Sequence, residues 1–180
     1  GMVGNDGETH QGVFDISFLR FIPNMILFAP RDNETLIQGL EFAYTLTSPS
    51  AIRYPRGAFQ ELTYTSTQFE LGKAELLKDG NSKKLFIGYG AGVSRAIETE
   101  SLHEEDIELS KKYDNWYVFS DSQKQGGVAS AILEVLNDEK IHNVQVITFE
   151  YADRFIEHGE TKQVEESLGL LPEQLVLKVK

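Results

Sequence analysis

Two short strand-patterned runs, Met25–Ala29 and Ser50–Tyr54, are each stopped by a proline, Pro30 and Pro55. Between them Leu36, Leu40 and Ala43 fall at helical spacing, and Asp32 or Asn33 stands where a helix cap belongs. The pattern predicts a helix through about Leu46. Strands joined through such a helix pair in parallel, because a crossover replaces the tight turn of a hairpin. This strand–helix–strand unit excludes an all-helical bundle and an all-β sandwich.

Residues 58–68 are polar and without period, and they read as a linker. A second alternating series follows. Phe69–Leu77 is predicted as a strand, and Asp79-Gly80-Asn81 as a turn. Leu85–Tyr89, Trp116–Phe119 and Val144–Phe149 are predicted strands. Ala91 to about Glu98, Glu104–Tyr113, Gly126–Val135 and Lys162–Leu168 are predicted helices, the last stopped by Gly169. Between Gly92 and Lys111 two charged helical pieces run together with no strand between them. Either the helices are consecutive, or residues are missing between about Ala96 and Glu105. In the second case the Cα atoms there would lie much further apart than the ~3.8 Å of a trans peptide.

Composition narrows the function classes. The 180 residues hold no cysteine, which excludes disulfides, thiolate nucleophiles and thiolate metal sites. A formal charge of −11 repels a phosphate backbone and argues against nucleic-acid binding. No apolar run approaches the roughly 20 residues that span a bilayer, and no signal peptide is visible, so no membrane role and a cytoplasmic location are expected.

The candidate chemistry lies in three places. His10 follows the Asp6-Gly7 turn and precedes the apolar Phe14, Ile16, Phe18 and Leu19, which can pin its loop within reach of a substrate. Asp6 is near enough to orient it or to bind a hydroxyl, although the same spacing fits a plain surface turn. A metal site from Asp6, Glu8 and His10 has no fixed ligand geometry behind it. Arg53 and Arg56 flank Tyr54-Pro55 at the carboxyl end of a predicted parallel strand, where open α/β sheets bind ligands. Either arginine suits a phosphate, or a surface or interdomain salt bridge. The glycines of GYGAG (88–92) lack the full dinucleotide spacing, and with those of QGG (125–127) they read as strand-to-helix turns. Asp153–Gly159 reads as a structural turn with a local Asp–Arg pair.

The string DG-x-THQG-x-FD followed by LR-x-IPNM, then AIRYPRG, LGKAELLKDG, LFIGYGAG, ELSKKYD, QGGVASAILEVL and DRFIEHG, resembles the 1-deoxy-D-xylulose-5-phosphate synthases of the transketolase superfamily. The resemblance covers nearly the whole chain. It implies an α/β fold: part of a thiamine-diphosphate-binding (pyrimidine) domain over residues 1–60, a linker over 61–70, and a transketolase C-terminal domain with a mostly parallel sheet over 71–180.

It further implies a transferase that condenses pyruvate with glyceraldehyde 3-phosphate and releases CO2, on the way to isoprenoids, thiamine and pyridoxal. Asp6 and His10 then match the loop that faces the thiazolium and the acceptor aldehyde, and Arg56 matches the arginine that binds the acceptor phosphate. The full-length enzyme is expected to be a homodimer using thiamine diphosphate and Mg2+. The GDG metal motif, the family's glutamate and a second phosphate-binding arginine have no counterpart here, so this piece alone is expected to bind neither cofactor and to be inactive. Where relatives carry paired glutamates, this chain has Ser120-Asp121-Ser122. A transketolase, an oxo-acid dehydrogenase E1 β-subunit, or a non-catalytic dimerisation or regulatory domain are the alternatives.

Overall fold

A computed structural model describes residues 1–65, 68–79, 84–102 and 113–179. The chain forms two parallel sheets. In the first, β1 (Ile26–Phe28) pairs with β2 (Ser50–Ile52) across α2 (Asn33–Thr45), with Leu27 opposite Ala51. A short helix, α1 (Asp15–Leu19), precedes it. Asp32 caps α2: its carboxylate accepts from Thr35 N–H at 2.8 Å, and Thr35 Oγ1 accepts from Asp32 N–H at 3.1 Å. This reciprocal pair satisfies two donors that the first turn leaves open.

The second sheet has the order β3 (Lys84–Gly88), β4 (Asn115–Gln123), β5 (Gln145–Tyr151), all parallel. Around it lie α3 (Gly92–Leu102), α4 (Val128–Asp138), α5 (Thr161–Leu168) and α6 (Pro172–Leu175). α5 ends as expected, with Gly169 left-handed at φ 70°. The core is aromatic: Phe86, Tyr117, Phe119 and Phe149 form a run of stacked and tilted rings along the sheet. Val13, far away in sequence, is buried in this same core.

The glycine-rich turns bring helix and sheet together. A Cβ on Gly92 would stand 2.1 Å from Phe119 O, and one on Gly127 2.1 Å from Gln123 O. Only glycine permits that approach.

Three expectations change. Phe69–Leu77 is not a strand: Gly72 turns the chain at φ 77°, leaving Leu71 and Leu76 exposed. Phe69 instead packs between Phe28 and Phe42, with centroids 5.7 and 6.2 Å away. β4 runs on through Gln123, well past Phe119, because Ser120 and Ser122 are buried and hydrogen-bonded rather than solvated. α3 continues unbroken to Leu102, so no break interrupts 96–102. The rest of that interval, the predicted helix Glu104–Tyr113 up to Lys112, and most of the Asp79–Asn81 turn lie outside the described residues.

Candidate functional site

The first fourteen residues form a loop with two single 3-10 turns, Gly4–Asp6 and Glu8–His10, ahead of α1. It is tied down at both ends. Gln11 is buried, and its Oε1 accepts from Val3 N–H at 2.8 Å. Val13 O accepts from Gln123 N–H at 2.8 Å, which joins the loop to the end of β4. Gln11 Nε2 is buried without a hydrogen-bond partner among the described residues, an open donor directly after His10.

The loop delivers Asp6 to Arg56: an Asp6 carboxylate oxygen pairs with Arg56 Nη1. Two segments fifty residues apart thus meet at a surface rim, with the Arg56 side chain 57% exposed. His10 is exposed beside them in sequence, and its Nδ1 lies 2.9 Å from Thr9 Oγ1. No hydrogen bond joins His10 to Asp6 or Arg56 among the described residues. The structure therefore brings Asp6 and Arg56 together and leaves the His10 ring apart from that pair, against Thr9 of the same loop.

Arg53 does something else. Its Nε donates to Asp15 Oδ2 at 2.7 Å, its Nη2 to Asp15 Oδ1 and Gly12 O at 3.1 Å each, and its Nη1 pairs with Asp121 Oδ1. Burial works against the charge, but Asp121 and Asp15 outweigh it and hold the guanidinium pKa above its ordinary value. For Asp121 burial pulls the other way, and Arg53 outweighs it, so the carboxyl stays below the ordinary carboxylate range. Arg53 is the interdomain salt bridge of the two options its position allowed. Its partners Asp15 and Asp121 went unassigned as partners in the sequence. Neither acid carries a local signal of it: Asp15 opens α1, and Asp121 stands in the polar run Ser120–Gln123 at the end of β4.

A second buried carboxylate, Glu150 on β5, was also missed. It accepts from Ser122 Oγ at 2.9 Å, Thr148 Oγ1 at 2.6 Å, Val128 N–H at 3.0 Å and Ala129 N–H at 3.3 Å. It caps α4 from across the sheet, because the cap residue there is Gly127. Burial raises its pKa, and the four donors only partly offset this. The expected Asp153–Arg154 pair does not form: Asp153 Oδ1 accepts from Gln123 Nε2 at 3.1 Å.

Among the described residues no group of three His, Asp or Glu side chains could hold a metal ion, and no helix is long and apolar enough to cross a membrane. A slot between the two sheets, lined by Arg53, Pro55, Gly90 and Asp121, has a volume of about 10 Å3, room for no more than a water.

The sequence model of the transketolase pyrimidine-binding domain matches residues 1–61, and that of the transketolase C-terminal domain matches residues 88–175. The chain belongs to the transketolase family. Among its relatives are a 1-deoxy-D-xylulose-5-phosphate synthase of Aliarcobacter butzleri, 71% identical over 197 positions, and one of Sulfurimonas denitrificans, 52% identical over 198 positions. Each match takes in 100% of this chain and 33% of the relative, so the chain spans about a third of the length of these relatives.

The 197 aligned positions exceed the 180 residues by 17 (197 − 180), so the A. butzleri protein carries residues in this region that the chain lacks. Solved structures share the fold. A split-gene transketolase described as an inactive β4 tetramer has a TM-score of 0.82 at 24% identity, covering 96% of this chain and 62% of that one. A Campylobacter jejuni transketolase has a TM-score of 0.69 at 20% identity, covering 98% and 29%.

Proposed function

We propose that the protein containing this chain condenses pyruvate with glyceraldehyde 3-phosphate to 1-deoxy-D-xylulose 5-phosphate, releasing CO2, and that the loop around Asp6 and His10 together with Arg56 is its acceptor half-site. Residues 1–60 would then belong to the pyrimidine-binding domain, 61–70 to a linker and 71–180 to the C-terminal domain. The observation that carries the reading is the meeting of Asp6 with Arg56 at an open rim. Similarity over all of this chain to a third of synthases of that name supports the choice of reaction.

The chemistry of the rim suits a phosphorylated aldehyde. An exposed ion pair contributes only about 0–1 kcal/mol. A guanidinium–phosphate hydrogen bond is charge-assisted and contributes roughly 1.5–3 kcal/mol. The acceptor phosphate can therefore draw Arg56 from Asp6, which frees the Asp6 carboxylate to accept from an acceptor hydroxyl. In this reading His10 gives a proton to the acceptor carbonyl oxygen as it becomes a hydroxyl.

Thiamine diphosphate, when bound, makes the two-carbon unit of pyruvate nucleophilic. The resemblance leads us to assign the Mg2+ and diphosphate sites to parts of the longer protein outside this chain, and we expect the segment alone to hold neither Mg2+ nor thiamine diphosphate. The same protein is proposed to act as a cytoplasmic homodimer.

The test is turnover by the full-length protein with pyruvate and glyceraldehyde 3-phosphate, alongside ribose 5-phosphate as a transketolase-type acceptor. Expected are CO2 release and the five-carbon ketose phosphate with the triose alone. Preference for the pentose, or no condensation at all, overturns the reading. Calorimetry of the 180-residue segment with thiamine diphosphate and Mg2+ should show no binding.

A further inference from the structure

The segment Asp153–Gly159 has no part in the half-site above, yet it lies against it. Ile156 anchors the segment, 3% exposed, in the core that also holds Val13. Phe155 meets Phe14 edge to face, with centroids 5.9 Å apart at 70°. At the far end Gly159 N–H donates to Gly4 O at 3.4 Å.

The two glycines that bracket Asp6 are both fitted to this surface. Gly4 is left-handed at φ 57°, and a Cβ on it would stand 2.9 Å from Gly159 O and 2.8 Å from Thr161 Oγ1. Gly7 has φ 83°, and a Cβ on it would stand 3.7 Å from the Cβ of His158. Asp6 thus lies between Gly4, bonded to Gly159, and Gly7, whose backbone runs past the His158 Cβ. His158 itself is exposed and makes no hydrogen bond or ion pair among the described residues. Its side chain is not spent on holding its own loop.

We propose that His158 is a positioning residue: standing against Gly7, it seats the Gly4–His10 loop with Asp6 turned to Arg56, and so sets the affinity for the phosphorylated acceptor. This rests on the acceptor reading of Asp6, His10 and Arg56. A bare loop of single 3-10 turns has few bonds of its own, so its geometry depends on what it leans on. Misplacing a binding group by a fraction of an ångström weakens the contact without touching chemistry elsewhere.

The experiment uses the full-length protein with His158→Gly, which removes every side-chain atom from Gly7, and His158→Ala, which keeps the Cβ. His158→Gly is expected to raise the KM for glyceraldehyde 3-phosphate about tenfold, equivalent to roughly 1.4 kcal/mol. The KM for pyruvate should stay within about twofold, and His158→Ala should recover part of the loss. Amide hydrogen exchange at residues 4–12, measured on the same proteins, should quicken in the glycine variant. Unchanged exchange there, or a rise in both KM values together, overturns the proposal. An unsubstituted protein that fails to turn over sinks the acceptor reading instead, and exchange at residues 4–12 still decides whether His158 seats the loop.

Discussion

Arg53 and Arg56 lie three residues apart in one strand exit and have opposite surroundings. The Arg53 side chain is 11% exposed, and its donors go to Asp15, Asp121 and the Gly12 carbonyl. Arg56 is 57% exposed and meets Asp6 alone among the described residues. The first joins three stretches of chain, the loop before α1, the end of β2 and the end of β4. The second hangs over the rim. The difference teaches how the motif RYPRG divides labour: a buried guanidinium whose donors are used up cannot take a ligand, and an exposed one with a single weak partner can.

The largest effect expected from breaking this contrast is on stability. Arg53→Ala leaves Asp121 and Asp15 without the guanidinium they share, and Asp121 is buried. Removing one partner of a buried pair costs roughly 3–5 kcal/mol. Urea denaturation of Arg53→Ala should show that loss against the unsubstituted protein. Replacing both ends, Arg53→Met with Asp121→Leu, should recover much of it, since an apolar pair of similar volume avoids the desolvation of two ions. A double variant no more stable than Arg53→Ala would show that Asp15 and Gly12 carry the bond, not Asp121.

The next effect is on activity, and it falls on the other arginine. Arg56→Ala should leave the urea midpoint nearly unchanged, because an exposed pair contributes about 0–1 kcal/mol. In the full-length protein it should raise the KM for glyceraldehyde 3-phosphate by roughly ten- to a hundredfold, the loss of a charge-assisted bond of about 1.5–3 kcal/mol. Arg56→Lys should keep the charge but not the fork, and recover only part. His10→Ala should lower kcat with the triose KM little changed. If Arg56→Ala instead lowered stability and spared the KM, the roles given to the two arginines would be reversed.

The sequence did not separate the two arginines, since either suited a phosphate or a salt bridge. Periodicity alone placed β1, α2 and β2 within a few residues, because each is a short buried or amphipathic run closed by proline or capped by Asp32. It failed at Phe69–Leu77, where alternation looked like a strand. There Gly72 and the pull of Phe69 toward Phe28 and Phe42 decide the path, and neither is a local signal. Asp6 and His10 were legible as a polar turn ahead of an apolar segment. Their seating on Ile156–Gly159 was not, since it joins residues about 150 apart. The carboxylates around Arg53 were invisible for the same reason: pairing across three segments leaves no spacing to read.

The smallest effect sharpens what a buried cation does for a buried acid. Asp121 has Arg53, and its carboxyl lies below the ordinary range. Glu150 has only neutral donors, and burial leaves its pKa raised above the ordinary 4.5. The two acids therefore tilt stability in opposite directions. Below the ordinary 3.8 of an aspartate the unfolded chain takes up a proton that folded Asp121 refuses, so stability falls as the pH drops there.

From 4.5 upward to its raised folded value, Glu150 keeps a proton that the unfolded chain has released, so its contribution falls as the pH rises through that window. Glu150→Gln keeps an acceptor for the Val128 and Ala129 N–H groups and removes the titration. Thermal midpoints of the variant and the unsubstituted protein should lie closest at the acid end of that window and separate in favour of the variant as the pH rises across it. A gap that stayed constant with pH would mean that the four donors hold Glu150 ionised as readily as water does, and that it needs no arginine to be at ease in the core.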